Sequence, residues 1–522
     1  MPRKGVARLS PPFGATLGHV FTVGSFTALS RVLGLVREML QSRLVGAGVE
    51  QSAFALAFAI PNMARKLFGE GALTAAFVPV FRLESEREGL EKAARLARAV
   101  MTMMLLLLAA FVGLALVGLF IVLDLRPPVL DLRPRTAMTL RLVAILLPYM
   151  LAICGAAFGM GVLNALGRFR ASSFMPALLN IVWIAALGAL MLFSDLPPRR
   201  SVFFVAGAIL AGGCLQMAFM FRCMAKVGVR PLPLFSGWRA EKVRLGWRNT
   251  AVAARGAGAV QVNYMLDQVL AQLAAPWAAG VIGYAERLMD LPLGVIGVAF
   301  GTVLLPTFAG FFAKGDGEGA KAALSSAFVN LMTVMIPAAV GLSVLAREVT
   351  AVVYEGGAFD PEATARVARA LAVYALGLGF FGCQKTLTPF FQAQNDMRTP
   401  LRVSLATVGA NAALNVLAVT LLPVEWRHVG LAGSTVLCAA LGAALLRAAA
   451  VRRNGRFAAA GIGSALARIT AASLAMGGLL VALRPLTAGF GRVTALALLV
   501  AAGLVSYVAL AFAFRLHLRR RI

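Results

Sequence analysis

The sequence predicts an all-α polytopic membrane protein, and three observations carry that prediction. Of its 522 residues 60% are hydrophobic and only 14% are charged, which lies outside the range of soluble globular domains. Apolar runs long enough to cross a bilayer follow one another from end to end. The formal charge of +28 falls between those runs instead of clustering on one solvated face, which argues against nucleic-acid binding and fits the loops of a membrane protein.

Reading the runs between charged or Pro/Gly-rich breaks gives fourteen spans, at about 17–45, 52–81, 99–123, 137–166, 173–193, 201–221, 249–273, 279–312, 324–345, 363–394, 403–421, 429–446, 461–483 and 493–514. The start MPRKGVAR before an apolar run imitates a signal peptide. The run is too long for one, is interrupted by arginines and lacks a clear cleavage site, so it is read as the first span. An even number of spans puts both termini on one side. With that side cytoplasmic, about 29 Lys and Arg lie in cytoplasmic segments, about 9 outside and roughly 12 within spans. The five cysteines, Cys154, Cys214, Cys223, Cys383 and Cys438, have no metal-ligand spacing and read as packing residues.

The connection from Arg222 to Arg248, containing RPLPLFSGWRAEKVRLGWR, divides the chain. The expected organisation is an N-terminal lobe over 1–221, a basic cytoplasmic linker over 222–248, a C-terminal lobe over 249–456 and two further spans over 457–522. A weak repeat relates the lobes at an offset of about 225 to 230 residues. Pro79 of AFVPVF matches Pro306 of VLLPTF, NALGRFR at 164–170 matches QAQNDMR at 392–398, and Arg31 lands near Arg255. Two six-helix lobes of like topology with two appended spans are the architecture of a parallel-repeat transporter whose site lies between the lobes.

Charges inside the spans require an explanation, because each costs at least roughly 2.5 to 3.5 kcal/mol near a membrane centre. In SRVLGLVREMLQSR of span 1, Ser30, Arg31, Gly34, Arg37, Glu38, Gln41 and Ser42 share an arc of about 140°. Arg43 lies off that arc near the outer end and reads as snorkelling to the interface. In span 8, Gly283, Glu286, Arg287, Asp290, Gly294, Gly297 and Gly301 share about 100°. Its small residues permit close helix approach or leave room for a ligand. Span 2 groups Asn62, Arg65, Lys66 and Gly69, with Glu70 one turn on. One reading is that the cations pair with Glu38, Glu70, Glu286 and Asp290 and staple helices together. Buried pairs rarely repay their desolvation, and the cations outnumber those partners. Arg31, Arg37, Arg65 and Lys66 face only Glu38 and Glu70, while Arg255, Arg287 and Lys385 add charge in the second lobe. The surplus points to a water-filled cationic cavity for an anion, and arginine's planar fork suits phosphate.

Four stretches, SRVLGLVRE, LVGAGVEQSAFALAFAIPNMARKLFGEGALTAAFVPVF, YAERLMDLPLGVIGVAFGTVLLP and LTPFFQAQNDMRTP, together resemble the MurJ (MviN) family of lipid II flippases, within the multidrug/oligosaccharidyl-lipid/polysaccharide exporter superfamily. The resemblance covers essentially the whole chain. It implies alternating access between two lobes, moving the undecaprenyl-pyrophosphate-linked peptidoglycan precursor from the inner to the outer leaflet of the cytoplasmic membrane. By motif position it implies central-cavity roles for Arg31, Arg37, Arg65 and Arg287, a matching family position at Glu70, and a hydrophobic groove for the lipid tail formed by the last two spans. A monomer that works beside the cell-wall synthesis machinery is the expected state.

Other readings stay open on the residues alone. An exporter of another lipid-linked oligosaccharide fits the same cationic stripes, whereas a cationic-drug exporter would want acidic residues there. A polyprenyl-phosphate-processing enzyme would need acidic metal ligands or a histidine constellation, and the chain has only His19, His428 and His517, each near a span end. No P-loop of the G-x-x-x-x-G-K-[ST] type is present, so the expected energy source is an ion gradient or the membrane potential, without a cofactor. Asp267 is the only carboxylate inside span 7, and Asn411 and Asn415 lie four apart on one face of span 11. These three form a candidate sodium site, or else a set of interhelical hydrogen-bonding groups. Where the family pattern is GAGxxxDAF this chain has GAGVEQSAF, with Ser52 in place of the aspartate. Glu50 replaces that charge only if the stretch is loop, because two residues turn a helix by about 200°.

Overall fold

The computed structural model describes residues 13–67, 72–124, 133–235, 258, 261, 263–455 and 462–514. Among them the chain is helical with no strand; one isolated antiparallel bridge joins Gly356 and Phe359. It separates into two compact units. One comprises Met1–Gln41 with Ala57–Gly258, the other Ser42–Leu56 with Ala259–Ile522.

The first unit is built on α1 (Phe13–Val45, to Gln41), α2 (Val49–Ala64, from Ala57), α3 (Ala72–Glu88), α4 (Leu90–Leu123), α5 (Pro134–Leu146), α6 (Tyr149–Ala165), α7 (Phe169–Phe193) and α8 (Pro198–Lys226). Gly89, with φ 87°, separates α3 from α4, which starts well before residue 99 because LEKAARLARAV continues its helix. The expected span 137–166 is two helices, α5 and α6, meeting at Leu147 and Pro148. The proline ring has no amide hydrogen to give and crowds the preceding turn. Helix α6 is buried along most of its length. It lies so close to α8 that a Cβ on Gly213 would overlap the Tyr149 ring.

The second unit contains α9 (263–274), α10 (Ala278–Ala313), α11 (Gly317–Val344), α12 (Ala346–Tyr354), α13 (Pro361–Leu376), α14 (Leu378–Ala393), α15 (Arg398–Leu421), α16 (Val424–Asn454), α17 (Ile462–Thr487) and α18 (Arg492–Ala513). Helices α13 and α14 meet at a bend of 43° and are together long and apolar enough to cross a membrane. The bend falls at Gly377, where a Cβ would stand 2.8 Å from Phe381 and 2.9 Å from Val436 on α16. The core is largely alanine and aliphatic side chains, with aromatic rings set among them. Tyr284 tilts against Tyr354 with ring centroids 4.7 Å apart, and Phe308 meets Phe390 edge-on at 5.4 Å. Ser42–Leu56 is fastened into this unit by backbone. Tyr284 Oη donates to the Gly46 carbonyl (3.2 Å), Ser42 Oγ donates to the Tyr354 carbonyl (3.1 Å), and the Ala358 amide donates to the Arg43 carbonyl (2.8 Å).

Among the described residues nine helical stretches, with α5 and α6 taken together as one, are long and apolar enough to cross a membrane, or ten with the bent pair counted as one span. They coincide with the expected spans from 99–123 to 201–221 and from 324–345 to 493–514. Helices also stand over the other four: α1 over 17–45, α2 and α3 over 52–81, α9 at the end of 249–273, and α10 over 279–312.

Between α14 and α15 the chain turns at Asn395, a non-glycine residue with φ 57°. Asp396 then caps α15. Its Oδ1 accepts the Arg398 and Thr399 amides at 3.0 Å each, its Oδ2 accepts the Thr399 hydroxyl at 2.7 Å, and Arg453 Nη1 pairs with it at 2.6 Å. These bonds, the Thr399 hydroxyl foremost, hold the carboxyl below the usual carboxylate range. A depressed folded-state pKa contributes stability above the unfolded value and loses it as the pH falls through the folded one. We expect Asp396→Ala to destabilise the protein by about 1 kcal/mol near neutrality, as helix caps do. Thermal unfolding in detergent should show wild type and variant converging below about pH 4.

Candidate functional site

In the first unit the polar arc of α1 faces α7. Arg37 Nη1 donates to Asn180 Oδ1 at 2.9 Å, Nη2 pairs with Glu38 Oε1 at 2.5 Å, and the guanidinium carbon lies 4.3 Å above the Trp183 ring. Asn180 Nδ2 donates in turn to the Ser30 carbonyl (3.0 Å), and Trp183 Nε1 donates to Gln41 Oε1 (2.8 Å). Gly34 lies beside Asn180, where a Cβ would sit 3.8 Å from Nδ2, an ordinary van der Waals contact. Arg37 is thus mostly buried, with its side chain 14% exposed, and is held on three sides: a carboxylate, an amide oxygen and an aromatic face. Each favours the charged guanidinium away from water. Arg31, on the same arc, is exposed and has no ion pair or hydrogen bond from its side chain among the described residues. In the turn after α2, Asn62 Oδ1 accepts both Nε (3.1 Å) and Nη2 (3.0 Å) of Arg65, which turns that fork; Lys66 follows it. Glu70 and Arg255 lie outside the described residues.

In the second unit Glu286 is partly buried and accepts the Tyr374 hydroxyl at 3.3 Å. Arg287 and Asp290, one turn apart on α10, are exposed, as is Lys385 on α14. Beside Gly283 a Cβ would meet nothing within 4 Å, so the small residue there leaves room and does not serve a close helix contact. The three residues of the candidate cation site do come together. Asp267 Oδ1 accepts Asn415 Nδ2 at 2.6 Å, Asn411 Oδ1 accepts the same nitrogen at 3.1 Å, and Asn263, one turn before Asp267, donates to its Oδ2 at 3.1 Å. The amide oxygens of Asn415 and Asn263 are buried without a partner. A cluster of carboxylate and amide oxygens, two of them orphaned, is the donor set of a hard cation. An apolar cleft of about 620 Å³ runs between α11 and the last two helices, lined by Pro337, Leu342, Met476, Leu480, Leu499 and Phe512 among others.

The condition for Glu50 to replace the absent aspartate fails. Helix α2 begins at Val49 and Glu50 stands in its first turn, which places its side chain on nearly the opposite face from Ser52. Ser52 itself is fully buried, and its hydroxyl accepts the Gly280 amide at 2.9 Å. Gly280 is in the first turn of α10, whose own N-cap, Trp277, provides no side-chain acceptor. The serine on α2 therefore caps α10 from outside, and Gln272 donates to the Ser52 carbonyl. The sequence reading missed Asn180, Trp183, Asn263 and Tyr374. The first left a signal: a lone amide in ALLNIVWIAAL, an apolar span, is an expensive group that marks a partner. We expect Ser52→Ala to cost about 1 to 3 kcal/mol, because it strands a buried donor, while Glu50→Gln leaves thermal stability nearly unchanged in the same detergent melt.

Residues 41–502 match the family model of lipid II flippase MurJ. A protein of Rhizobium tropici named as a probable lipid II flippase MurJ is 34% identical over 403 residues, covering 76% of this chain and 74% of its own. A solved structure of lipid II flippase MurJ in an inward closed conformation superposes with a TM-score of 0.76 at 22% identity, covering 94% of this chain and 98% of that one. A multidrug resistance MATE family transporter of the MOP superfamily, in an inward-facing conformation, shares the fold at a TM-score of 0.66 and 14% identity, over 83% of this chain and 99% of its own.

Proposed function

This chain belongs to the lipid II flippase MurJ family, and from that premise we propose that it carries the undecaprenyl-pyrophosphate-linked peptidoglycan precursor from the inner to the outer leaflet of the cytoplasmic membrane by alternating access. One observation supports the head-group site above the others. Arg37 is held by Glu38, Asn180 and Trp183 while those hydrogen bonds engage only one N–H from each of two guanidinium nitrogens, so a cation is positioned with donors to spare. Arg31 and Arg65 on the same unit supply further positive charge for a pyrophosphate whose bare passage through hydrocarbon would be prohibitive, and Arg287 is the candidate cation of the second unit. Asn62 and Lys66 are further candidates in the first unit and Asp290 and Lys385 in the second, while Glu70 and Arg255, outside the described residues, are candidates on sequence position alone. The polyprenyl tail lies in the apolar cleft beside α17 and α18.

The sequence holds no nucleotide-binding P-loop, and the work of transport comes from an ion gradient or the membrane potential. Asp267, Asn411 and Asn415 would hold a sodium ion, with Asn263 as a fourth oxygen source. The protein spans the membrane many times, with both termini in the cytoplasm on the count of Lys and Arg. It acts as a monomer alongside the enzymes that consume the precursor, and it does not itself make or break a covalent bond.

Three outcomes are expected. In cells that depend on this protein, Arg37→Ala and Arg287→Ala should each abolish growth at normal membrane abundance. Lys at either position should rescue poorly, because an ammonium lacks the bidentate fork; full activity of the double Ala variant in a leaflet-specific assay of labelled precursor would overturn the assignment. Sodium should raise the thermal midpoint of the purified protein, and Asp267→Ala should remove that rise; indifference of both to sodium removes the cation from the mechanism.

A further inference from the structure

The two halves of the repeat diverge in one place where their backbones agree. Helix α6 ends at Gly167 with φ 73°, α14 at Asn395 with φ 57°. The closing hydrogen bonds are the same: Gly167 N to Asn164 O and Arg168 N to Leu163 O in one, Asn395 N to Gln392 O and Asp396 N to Phe391 O in the other. The neighbouring helices also correspond, since Lys226 and Arg453 each stand two residues before a left-handed glycine, Gly228 (φ 89°) and Gly455 (φ 78°). In the second unit the residue after the left-handed turn is Asp396, whose carboxylate binds two amides of the next helix and Arg453. In the first unit that residue is Arg168.

The carboxylate is therefore missing and its ligands are not. Among the described residues the α7 N-cap, Arg168, makes no side-chain capping bond, and a cavity of about 480 Å³ opens there, lined by Arg168, Arg170 and Lys226 with Leu163, Phe169 and Cys223 on its apolar side. Among the described residues none of the three cations makes a side-chain ion pair or hydrogen bond, and no carboxylate lines the cavity. Three cations around a helix N-terminus would repel one another less with an anion between them.

We propose that this cavity binds the phosphate of an anionic phospholipid, which takes the place that the Asp396 carboxylate fills in the other repeat. The cavity lies where α7 and α8, both long and apolar enough to span the membrane, reach their polar ends, so it sits at head-group depth. Its apolar wall continues toward the acyl region. Basic pockets between span ends on the cytoplasmic side are the usual seat of such head groups, and the count of Lys and Arg puts this end there. The ligand is bound, not transported, and acts as an external cap for α7.

The test uses the full-length protein in a neutral detergent, titrated with dioleoyl phosphatidylglycerol, dioleoyl phosphatidylcholine or inorganic phosphate, with bound lipid counted by native mass spectrometry and the thermal midpoint read in parallel. Phosphatidylglycerol should bind and raise the midpoint and phosphatidylcholine should not, with phosphate acting only at far higher concentration. Combined Arg168→Ala, Arg170→Ala and Lys226→Ala should weaken phosphatidylglycerol binding about tenfold or more, while Arg230→Ala, an exposed cation at the same end that does not line the cavity, should not. Arg168→Asp is the decisive variant. It supplies its own carboxylate, so its midpoint without lipid should match or exceed wild type with lipid, and phosphatidylglycerol should add nothing. Undiminished lipid response in both the triple variant and Arg168→Asp overturns the site, and phosphate matching phosphatidylglycerol at equal concentration overturns the lipid assignment.

Discussion

A guanidinium cannot be left unanswered among apolar helices, and much of the first unit is arranged around that constraint. The chain surrounds the Arg37 guanidinium with groups that replace water. Glu38 comes from the next position on α1, although neighbours in a helix do not ordinarily face each other. Asn180 and Trp183 come from α7, and their spacing of three residues lets one helical face present both the amide oxygen and the indole. The same two residues then hold the Ser30 carbonyl and Gln41. One charge thus fixes the rotation of α1 and the register of α7 along it. The second unit solves the corresponding problem with oxygen and amide groups, through Glu286 with Tyr374 and Asp267 with its asparagines.

The fold class was legible because composition and run length report the solvent directly, and a bilayer admits few structures. The polar faces were legible as well, since charged residues on one arc of an apolar helix have few explanations. What could not be read was which side chain would answer which. Trp183 looks like any large apolar residue until Arg37 is seen above it, and Asn263 is one amide among many. The condition attached to Glu50 turned on where α2 begins, a boundary that sequence places only to within a few residues. The partition of the chain was also invisible: Ser42–Leu56 is apolar like its flanks and belongs to the second unit through backbone carbonyls, which carry no residue code.

Duplicated architecture does not enforce duplicated chemistry. The turns at Gly167 and Asn395 close with the same hydrogen bonds, yet one presents arginine and the other aspartate to the following helix. A turn needs only a residue that tolerates the left-handed conformation; the identity of its successor is free to drift once something else satisfies the helix end. Repeats of this kind keep their backbones and exchange their partners.

The cap that Ser52 places on α10 has a consequence in time. Its acceptor and donor are 228 residues apart in sequence. At a synthesis rate of about 5 to 20 residues per second, Ser52 leaves the ribosome roughly 10 to 50 s before the amide it will cap. During that interval the start of α2 lacks its partners Gln272 on α9 and Gly280 on α10, and its buried polar groups must be sheltered by water, lipid or insertion machinery. Biogenesis of this chain therefore includes a waiting step that no local sequence signal can shorten, and the early helices must remain in the membrane unfinished until the later ones arrive.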